Sequence, residues 1–212
     1  MYRSDLLSGK RILITGGGTG LGKSIGLRYV ELGANLVICG RRKEVLDQTA
    51  KEFKDSLGVS IETHVCDVRD AKAVESMMDA IWAMGPLDVL LNNAAGNFLA
   101  RTERLSTRAF DAVVDIVLKG SAYCTMDVGR RWIEAERKGT VMQILTQSAM
   151  TGMPFTVPSA MAKAGALAMI RSLAVEWGPY GIRTVGVVPG PFPTEGAWSR
   201  LMPKERIGEA PI

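Results

Sequence analysis

Short apolar segments alternate with longer amphipathic segments along this chain of 212 residues, and this alternation limits the possible folds. The apolar segments predict strands over residues 11–15, 35–39, 59–65, 87–91, 140–145 and 182–188. The segments between them predict helices over residues 19–32, 42–57, 70–84, 107–137 and 158–177. Apolar strands separated by helices are typical of a parallel sheet covered on both faces. We therefore predict a single-domain α/β fold, a doubly wound parallel sheet with its ligand crevice at the carboxyl ends of the strands.

The composition limits the classes of function. Hydrophobic residues make up 47% and charged residues 23%, as in a globular protein with a substantial core. The net charge of +4 is small and spread along the chain, so we expect no nucleic-acid partner. Cys39, Cys66 and Cys124 form no CxxC pair and His64 is the only histidine, which argues against a metal site. The sequence shows neither a signal peptide nor an apolar segment long enough to span a membrane, so we expect a cytoplasmic protein without a membrane partner.

A glycine-rich turn, Thr15-Gly-Gly-Gly-Thr-Gly-Leu-Gly22, follows the first predicted strand. Its glycines allow a tight turn and let the backbone approach a pyrophosphate at the positive end of the following helix. A position between a buried strand and a helix is the context that a dinucleotide-binding turn requires. We therefore predict a Rossmann-type cofactor site whose phosphate-binding residues are Gly16, Thr19, Gly20, Leu21 and Gly22.

The residues after the second and third strands bear on which dinucleotide binds. Arg41, Arg42 and Lys43 follow the second strand, where an NAD site usually has an acid that accepts from the ribose 2′-hydroxyl. An arginine there can pair with a 2′-phosphate, although these residues could also simply open an exposed helix. The missing acid favours NADP(H). After the third strand, we expect Asp67 to accept from the adenine amino group and the Val68 amide to donate to the adenine.

Three segments resemble the short-chain dehydrogenase/reductase family, and the resemblance covers essentially the whole chain. Thr15–Gly22 resembles its TGxxxGxG turn, and Asn92-Asn-Ala-Ala-Gly96 resembles its NNAG segment after the fourth strand. Pro189-Gly190 with Thr194 resembles the segment that holds the nicotinamide carboxamide. The resemblance implies that the cofactor is also bound by Asn93, Ala94, Ala95, Gly96, Pro189, Gly190 and Thr194.

The resemblance also implies an assembly and a chain length. Members of the family are commonly tetramers, so we expect a homo-oligomer, by analogy a tetramer. They usually continue through another helix and a seventh strand, and this sequence stops at Ile212 without them. We therefore expect residues 191–212 to form a loop region over the substrate. If the usual helix and seventh strand are absent from the protein, the sixth strand would present an exposed sheet edge.

The catalytic motif of the family is altered in this chain. Where the family has YxxxK, the sequence reads Ser159-Ala-Met-Ala-Lys163, and the usual serine and asparagine positions hold Thr146 and Val117. Without the phenol, reduction of a ketone loses its general acid. The chain therefore catalyses a different reaction or has lost activity.

One subgroup, the 2,4-dienoyl-CoA reductases of the mitochondrial type, resembles the chain in this respect, because SxxxK replaces YxxxK there and NADPH is the cofactor. Similar segments occur at residues 92–98, 102–106, 115–120, 157–160, 190–191 and 196–201. The resemblance implies that Lys163 binds the nicotinamide ribose hydroxyls with Ser159 beside it. The alternative for Lys163 is an exposed helix lysine.

The same subgroup places a Tyr and an Asn on the thioester carbonyl, and our alignment puts Ser148 and Lys119 at these positions. Both side chains can donate a hydrogen bond, but they could also be a loop residue and a surface lysine. The resemblance implies NADPH-dependent reduction of a conjugated acyl-CoA, in which these donors stabilise the enolate. Two alternatives stay open: a carbonyl reductase with an atypical acid, and a catalytically impaired NADP(H)-binding protein. The missing tyrosine argues against the first, and Lys163 with the complete glycine turn argues against the second.

Overall fold

The computed structural model describes residues 3–190. They form one six-stranded sheet in the order β3-β2-β1-β4-β5-β6. The strands are β1 (Arg11–Thr15), β2 (Asn35–Gly40), β3 (Glu62–Val65), β4 (Val89–Asn92), β5 (Gly139–Ile144) and β6 (Ile182–Val187). The helices are α1 (Gly20–Glu31), α2 (Lys43–Leu57), α3 (Ala71–Ala83), α4 (Thr107–Val114), α5 (Gly120–Glu134), α6 (Ser148–Thr151) and α7 (Val157–Glu176).

Every pair of neighbouring strands is parallel, which confirms the predicted doubly wound, Rossmann-type fold. Strand order reverses between β1 and β4, where Leu13 lies opposite Leu90. At such a reversal the connections leave on opposite sides of the sheet and open a crevice at the carboxyl ends of the strands. The loops that follow β1 and β4 therefore meet at this crevice.

The alternation of side chains along each strand divides the core into two layers. Leu13 and Leu90 pack on the side of α3 and α5, and Ile14 and Leu91 pack on the side of α1 and α2. Trp132 of α5 is fully buried in the first layer, and its indole N–H donates to the Leu87 carbonyl at 2.6 Å. These two apolar layers hold the sheet rigid beneath the crevice.

The third strand is shorter than predicted. It begins at Glu62 and not at residue 59, because its pairing with β2 starts at Val37 opposite Glu62. Gly58, at φ 70°, ends α2 in the left-handed conformation, and the next residues bring the chain back to the sheet edge. Alternating residues at 59–61 therefore lie outside the ladder and only resemble a strand.

The single helix predicted over residues 107–137 is also wrong in detail. The structure divides it into α4, a π-helical turn (Asp115–Lys119) and α5, which ends at Glu134. A π-helical turn inserts extra backbone without breaking the helix, so the apolar periodicity gives little sign of it. Short helical turns at Thr102–Arg104, Ser148–Thr151 and Gly178–Tyr180 were not predicted, because they are too short to show a period.

Candidate functional site

The glycine turn after β1 has the geometry that phosphate binding requires. Gly16 and Gly20 have φ of 66° and 54°, in the left-handed region that favours glycine. A Cβ on Gly22 would lie 2.5 Å from the Asn93 amide nitrogen and 2.7 Å from the Gly16 carbonyl oxygen, so no side chain fits there. Thr19 precedes α1 and Leu21 belongs to its first turn. The free N–H groups at the start of α1 can therefore meet a pyrophosphate, and a dinucleotide fits these residues.

The segment after β4 is tied directly to this turn. The Thr15 hydroxyl accepts hydrogen bonds from the backbone N–H groups of Asn93 and Ala94, both at 3.0 Å. The Asn93 side chain donates to the carbonyl oxygens of Thr15 at 2.9 Å and Gly16 at 3.2 Å. Asn93 is predicted to bind the cofactor; in the structure its side chain stabilises the glycine turn through these two hydrogen bonds. Thr15 was missed as a site residue, although a threonine at a strand end beside the turn is a visible signal.

At the predicted adenine end of the crevice, Arg41 and Arg42 lie exposed after β2, and neither forms an ion pair within residues 3–190. Asp67 is held by Arg69, whose guanidinium donates to its carboxylate at 2.6 Å. This hydrogen bond is the main cause that lowers the pKa of Asp67. Val68 is buried against Gly120. These residues border the crevice beyond β2 and β3, where the sequence predicts the adenosine half of the cofactor.

Lys163 is almost completely buried, with 6% of its surface exposed. Its ammonium donates to the carbonyl oxygen of Ile144, the last residue of β5, at 2.5 Å. Burial lowers the pKa of Lys163 to about 8. Ser159 lies one turn earlier on the same face of α7 and is also buried. Lys163 is therefore an interior cation at the crevice and not an exposed helix lysine.

Ser148 lies at the same end of β5. It is buried, begins α6, and this short helix packs against α7. Among the residues that the structure describes, the hydroxyls of Ser148 and Ser159 have no hydrogen-bond partner. The structure thus brings three of the four predicted catalytic side chains to the carboxyl end of β5, with two hydroxyls available to a ligand.

Lys119, the fourth predicted catalytic residue, is not brought to this cluster. Its side chain is 54% exposed and pairs with Asp115 at 2.8 Å, and the hydrogen bond to Asp115 raises its pKa. Val117 is buried against Ala162, next to Lys163. Residues two apart on a helix point to roughly opposite sides, so Lys119 is directed away from the face that meets α7. Its predicted contact with the thioester depends on the sequence alignment alone.

Asn97 is a polar residue of the loop after β4 that the sequence motifs did not single out. Its side-chain oxygen accepts from the Phe98 backbone N–H at 2.9 Å. Phe98 packs against the cluster of Val113, Val117 and Ala162, which places this loop beside α7. Within the described residues, the amide nitrogen of Asn97 donates to no acceptor. Its position directly after the Asn92–Gly96 segment, in the loop that follows β4, was the available signal.

The other predicted cofactor residues lie in the loops at the same edge. Ala94 approaches Gly16, Ala95 is exposed, and Gly96 follows in the loop after β4. Pro189 and Gly190 follow β6, with Gly190 at φ 72°. Thr194 and the rest of residues 191–212 lie outside the described residues. The described part of the chain contains no group of three or more potential metal-ligating side chains.

Comparison with known proteins assigns the family. Residues 10–204 match the family described as short chain dehydrogenase. The chain belongs to this family. It is 45% identical over 208 residues to a probable 2,4-dienoyl-CoA reductase of Caenorhabditis elegans, with 97% of this chain and 67% of the relative covered. A second nematode relative, an uncharacterized oxidoreductase, is 47% identical over 201 residues, with 94% of this chain and 64% of that protein covered. This short-chain dehydrogenase therefore spans about two thirds of the length of its nematode relatives.

Other relatives extend the comparison. A probable 2,4-dienoyl-CoA reductase of Bacillus subtilis is 39% identical over 199 residues, with 93% of this chain and 78% of the relative covered. A short chain dehydrogenase from Bacillus anthracis superimposes with a TM-score of 0.82 at 42% identity, over 86% of this chain and 76% of that one. These matches confirm the family and the subgroup resemblance that the sequence motifs indicated.

Proposed function

We propose that this short-chain dehydrogenase uses NADPH to reduce a conjugated, unsaturated acyl-CoA thioester, as a 2,4-dienoyl-CoA reductase does. The observation that carries the proposal is the buried pair of Ser159 and Lys163 at the end of β5, where the family usually has tyrosine and lysine. None of the described tyrosines lies at this position: Tyr29 is on α1, Tyr123 is on α5 and Tyr180 follows α7. A ketone reductase without a phenol lacks its proton donor. Relatives named as probable 2,4-dienoyl-CoA reductases support the same reading.

The residues at the crevice suit reduction of a thioester-conjugated double bond. NADPH, when bound, supplies the hydride. Lys163 holds the nicotinamide ribose and adds positive potential beneath the substrate. Ser148 and Asn97 are donors that can face the thioester oxygen, where negative charge develops. Lys119, predicted as a donor from the alignment, points away from them and pairs with Asp115. Because carbon takes its proton from water, this chemistry requires no phenol.

Purified protein is expected to oxidise NADPH when a 2,4-dienoyl-CoA is added, as followed by nicotinamide absorbance. A panel of ketones, measured in parallel, is expected to give rates at least about 100-fold lower, since ketones require the missing acid. A 2-enoyl-CoA shows whether the second double bond is required. Turnover of ketones without turnover of the dienoyl thioester would contradict the proposal and favour a carbonyl reductase. NADPH binding without turnover of any substrate would favour a non-catalytic protein.

We propose NADP(H) as the cofactor, with Arg41 and Arg42 at the 2′-phosphate. Replacing both by alanine is expected to weaken NADPH binding by about 10- to 100-fold, the usual worth of a hydrogen bond to a charged group, and to leave NADH binding unchanged. Fluorescence titration with both dinucleotides measures the difference. Lys43→Ala is the matched control, because Lys43 already pairs with Asp47 at 2.6 Å. Equal losses for NADH and NADPH would contradict the assignment.

A solved relative also bears on the choice of cofactor. It is a gluconate 5-dehydrogenase from Burkholderia cenocepacia, described as a complex with NADP and tartrate. Its TM-score is 0.85 at 29% identity, over 92% of this chain and 76% of that one.

We further propose that the protein is a homo-oligomer, by family analogy a tetramer, and that it is cytoplasmic. Met161 and Val175 of α7 are exposed on a helix that is apolar on most sides, as expected where a second copy packs. No helix within residues 3–190 is long and apolar enough to cross a membrane. Some relatives are named as peroxisomal 2,4-dienoyl-CoA reductases, among them those of zebrafish and rat.

A further inference from the structure

Two buried amide side chains lie next to each other at the carboxyl ends of β4 and β5. Asn92 and Gln143 are direct partners across these strands, and each is 1% exposed. Both reach α5: the Asn92 amide donates to the Thr125 hydroxyl at 2.8 Å, and the Gln143 amide donates to the Ser121 hydroxyl at 3.3 Å. Ser121 and Thr125 are one helical turn apart, so the four side chains form one buried polar layer between the sheet and α5.

Gln143 also contacts the carbonyl group that holds Lys163. Its amide nitrogen lies 3.3 Å from the Ile144 carbonyl oxygen, which accepts from the Lys163 ammonium at 2.5 Å. Two donors therefore converge on one oxygen. On its other side, Gln143 is held by Ser121, whose hydroxyl donates to the Val117 carbonyl of the π-helical turn at 2.8 Å. A continuous series of hydrogen bonds thus joins the π-helical turn, β5 and the lysine of α7.

If stability were the only requirement, a polar side chain at position 143 would be unfavourable. Within the described residues, the side-chain oxygens of Asn92 and Gln143 are buried and have no hydrogen-bond donor. A buried polar atom without a partner destabilises a fold relative to an apolar side chain of the same shape. Such departures from good packing concentrate at functional sites. What connects this amide to function is the Ile144 carbonyl oxygen, to which both Gln143 and Lys163 donate.

We propose that Gln143 is a positioning residue that determines where the Lys163 ammonium lies on the Ile144 carbonyl, and thereby how it meets the nicotinamide ribose. This inference rests on the proposed cofactor role of Lys163. The amide N–H carries partial positive charge and occupies one lone pair of the carbonyl, so it confines the ammonium to the other. Without the amide, the ammonium gains freedom around the oxygen and loses a repulsive neighbour, so its protonated form becomes more favourable.

Gln143→Met tests the inference, because methionine keeps the length and buried volume of the side chain and removes its donor. We expect the dissociation constant for NADPH to rise by about 2- to 10-fold, the range for one hydrogen bond. We also expect the pH at which NADPH affinity falls to move upward, since the charged lysine is favoured. In a Lys163→Met background, the same substitution is expected to change NADPH affinity less than 2-fold, because the two residues act through one contact. An unchanged affinity and pH midpoint, or full additivity with Lys163→Met, would overturn the inference.

Thr125→Val is the matched control. Thr125 lies in the same buried layer and bonds Asn92, but it has no connection to the Ile144 carbonyl. This variant is expected to keep the wild-type pH midpoint and NADPH affinity, and an effect equal to that of Gln143→Met would reduce Gln143 to a purely structural role. Ser121→Ala, which removes the anchor of Gln143, is expected to shift the midpoint in the same direction by a smaller amount and serves if Gln143→Met does not fold. Because the readout is NADPH binding, a wild type that binds NADPH without reducing dienoyl-CoA contradicts the proposed function alone.

Discussion

Lys163→Met is expected to lower the rate of dienoyl-CoA reduction by at least about 100-fold, as removal of one preorganised electrostatic donor typically does. The ammonium is buried and held on the Ile144 carbonyl, so its charge acts in a site shielded from water. Methionine fills the same space without charge, so the loss reports the ammonium and not a cavity. Turnover with saturating NADPH and dienoyl-CoA measures the effect. Arg171→Met, an exposed position on the same helix, is the control. Activity within about 10-fold of the wild type would exclude the proposed role of Lys163.

The same substitution is expected to change the pH dependence of stability. Burial lowers the pKa of Lys163 from its ordinary value of 10.5 to about 8. Between these values the unfolded chain binds a proton that the folded Lys163 has released, so the contribution of Lys163 to stability rises with pH from about 8 to 10.5, and this gain is lost as pH falls through 8. The gain amounts to about 3 kcal/mol at most. Urea unfolding across this interval should show that the free energy of unfolding of the wild type gains on that of Lys163→Met as pH rises, because the buried thiols of Cys39, Cys66 and Cys124, whose pKa values burial raises, contribute equally in both proteins. Parallel curves of unfolding free energy against pH for the two proteins would contradict the burial of the Lys163 ammonium.

Gly22→Ala is expected to abolish useful NADPH binding, with a loss of at least about 100-fold in affinity, equivalent to about 3 kcal/mol. The added Cβ would meet the Asn93 amide at 2.5 Å and the Gly16 carbonyl at 2.7 Å. Because the Gly16 contact is to backbone, the turn itself must shift, and Asn93 then loses its hold on the end of β1. The N–H groups of the turn and of α1 no longer converge on the pyrophosphate. The free energy of unfolding is also expected to fall, by about 1–3 kcal/mol.

Gly26→Ala is the control that distinguishes a change in the phosphate-binding turn from an effect of steric crowding along α1. Gly26 is buried one turn further along the same helix, and the one close contact of its added Cβ among the described residues would be with the end of the Leu36 side chain, at 2.9 Å. A flexible side-chain end can move, so this variant is expected to retain NADPH affinity within about 3-fold. Titration of both variants with NADPH, beside thermal unfolding, distinguishes the two effects. A similar loss of affinity in Gly26→Ala would show that packing of α1, and not the turn, controls cofactor binding.

Local pattern along the chain was sufficient for the architecture. The uninterrupted apolar residues at 12–14 and 36–39 indicate burial on both faces, and helices between such strands require parallel connections. The turn from Gly16 to Gly22 carries its own chemistry, because only glycine fits its backbone. The substitution of Ser159 for tyrosine was likewise legible, since it removes a proton donor at a position the motif defines. These features depend on residue type and short spacing, which the sequence states directly.

Other features depend on which strands and helices become neighbours, and only the tertiary structure decided them. The direction of Lys119 depends on which side of its helix meets α7, and Val117 takes that side by packing against Ala162. The contact between Gln143 and the carbonyl that holds Lys163 requires β5 and α7 to pack in one particular register. The hold of Asn93 on the glycine turn requires β1 to lie beside β4, far away in sequence. The sequence by itself determined the class of fold and the kind of chemistry; packing between distant segments determined which polar groups act together.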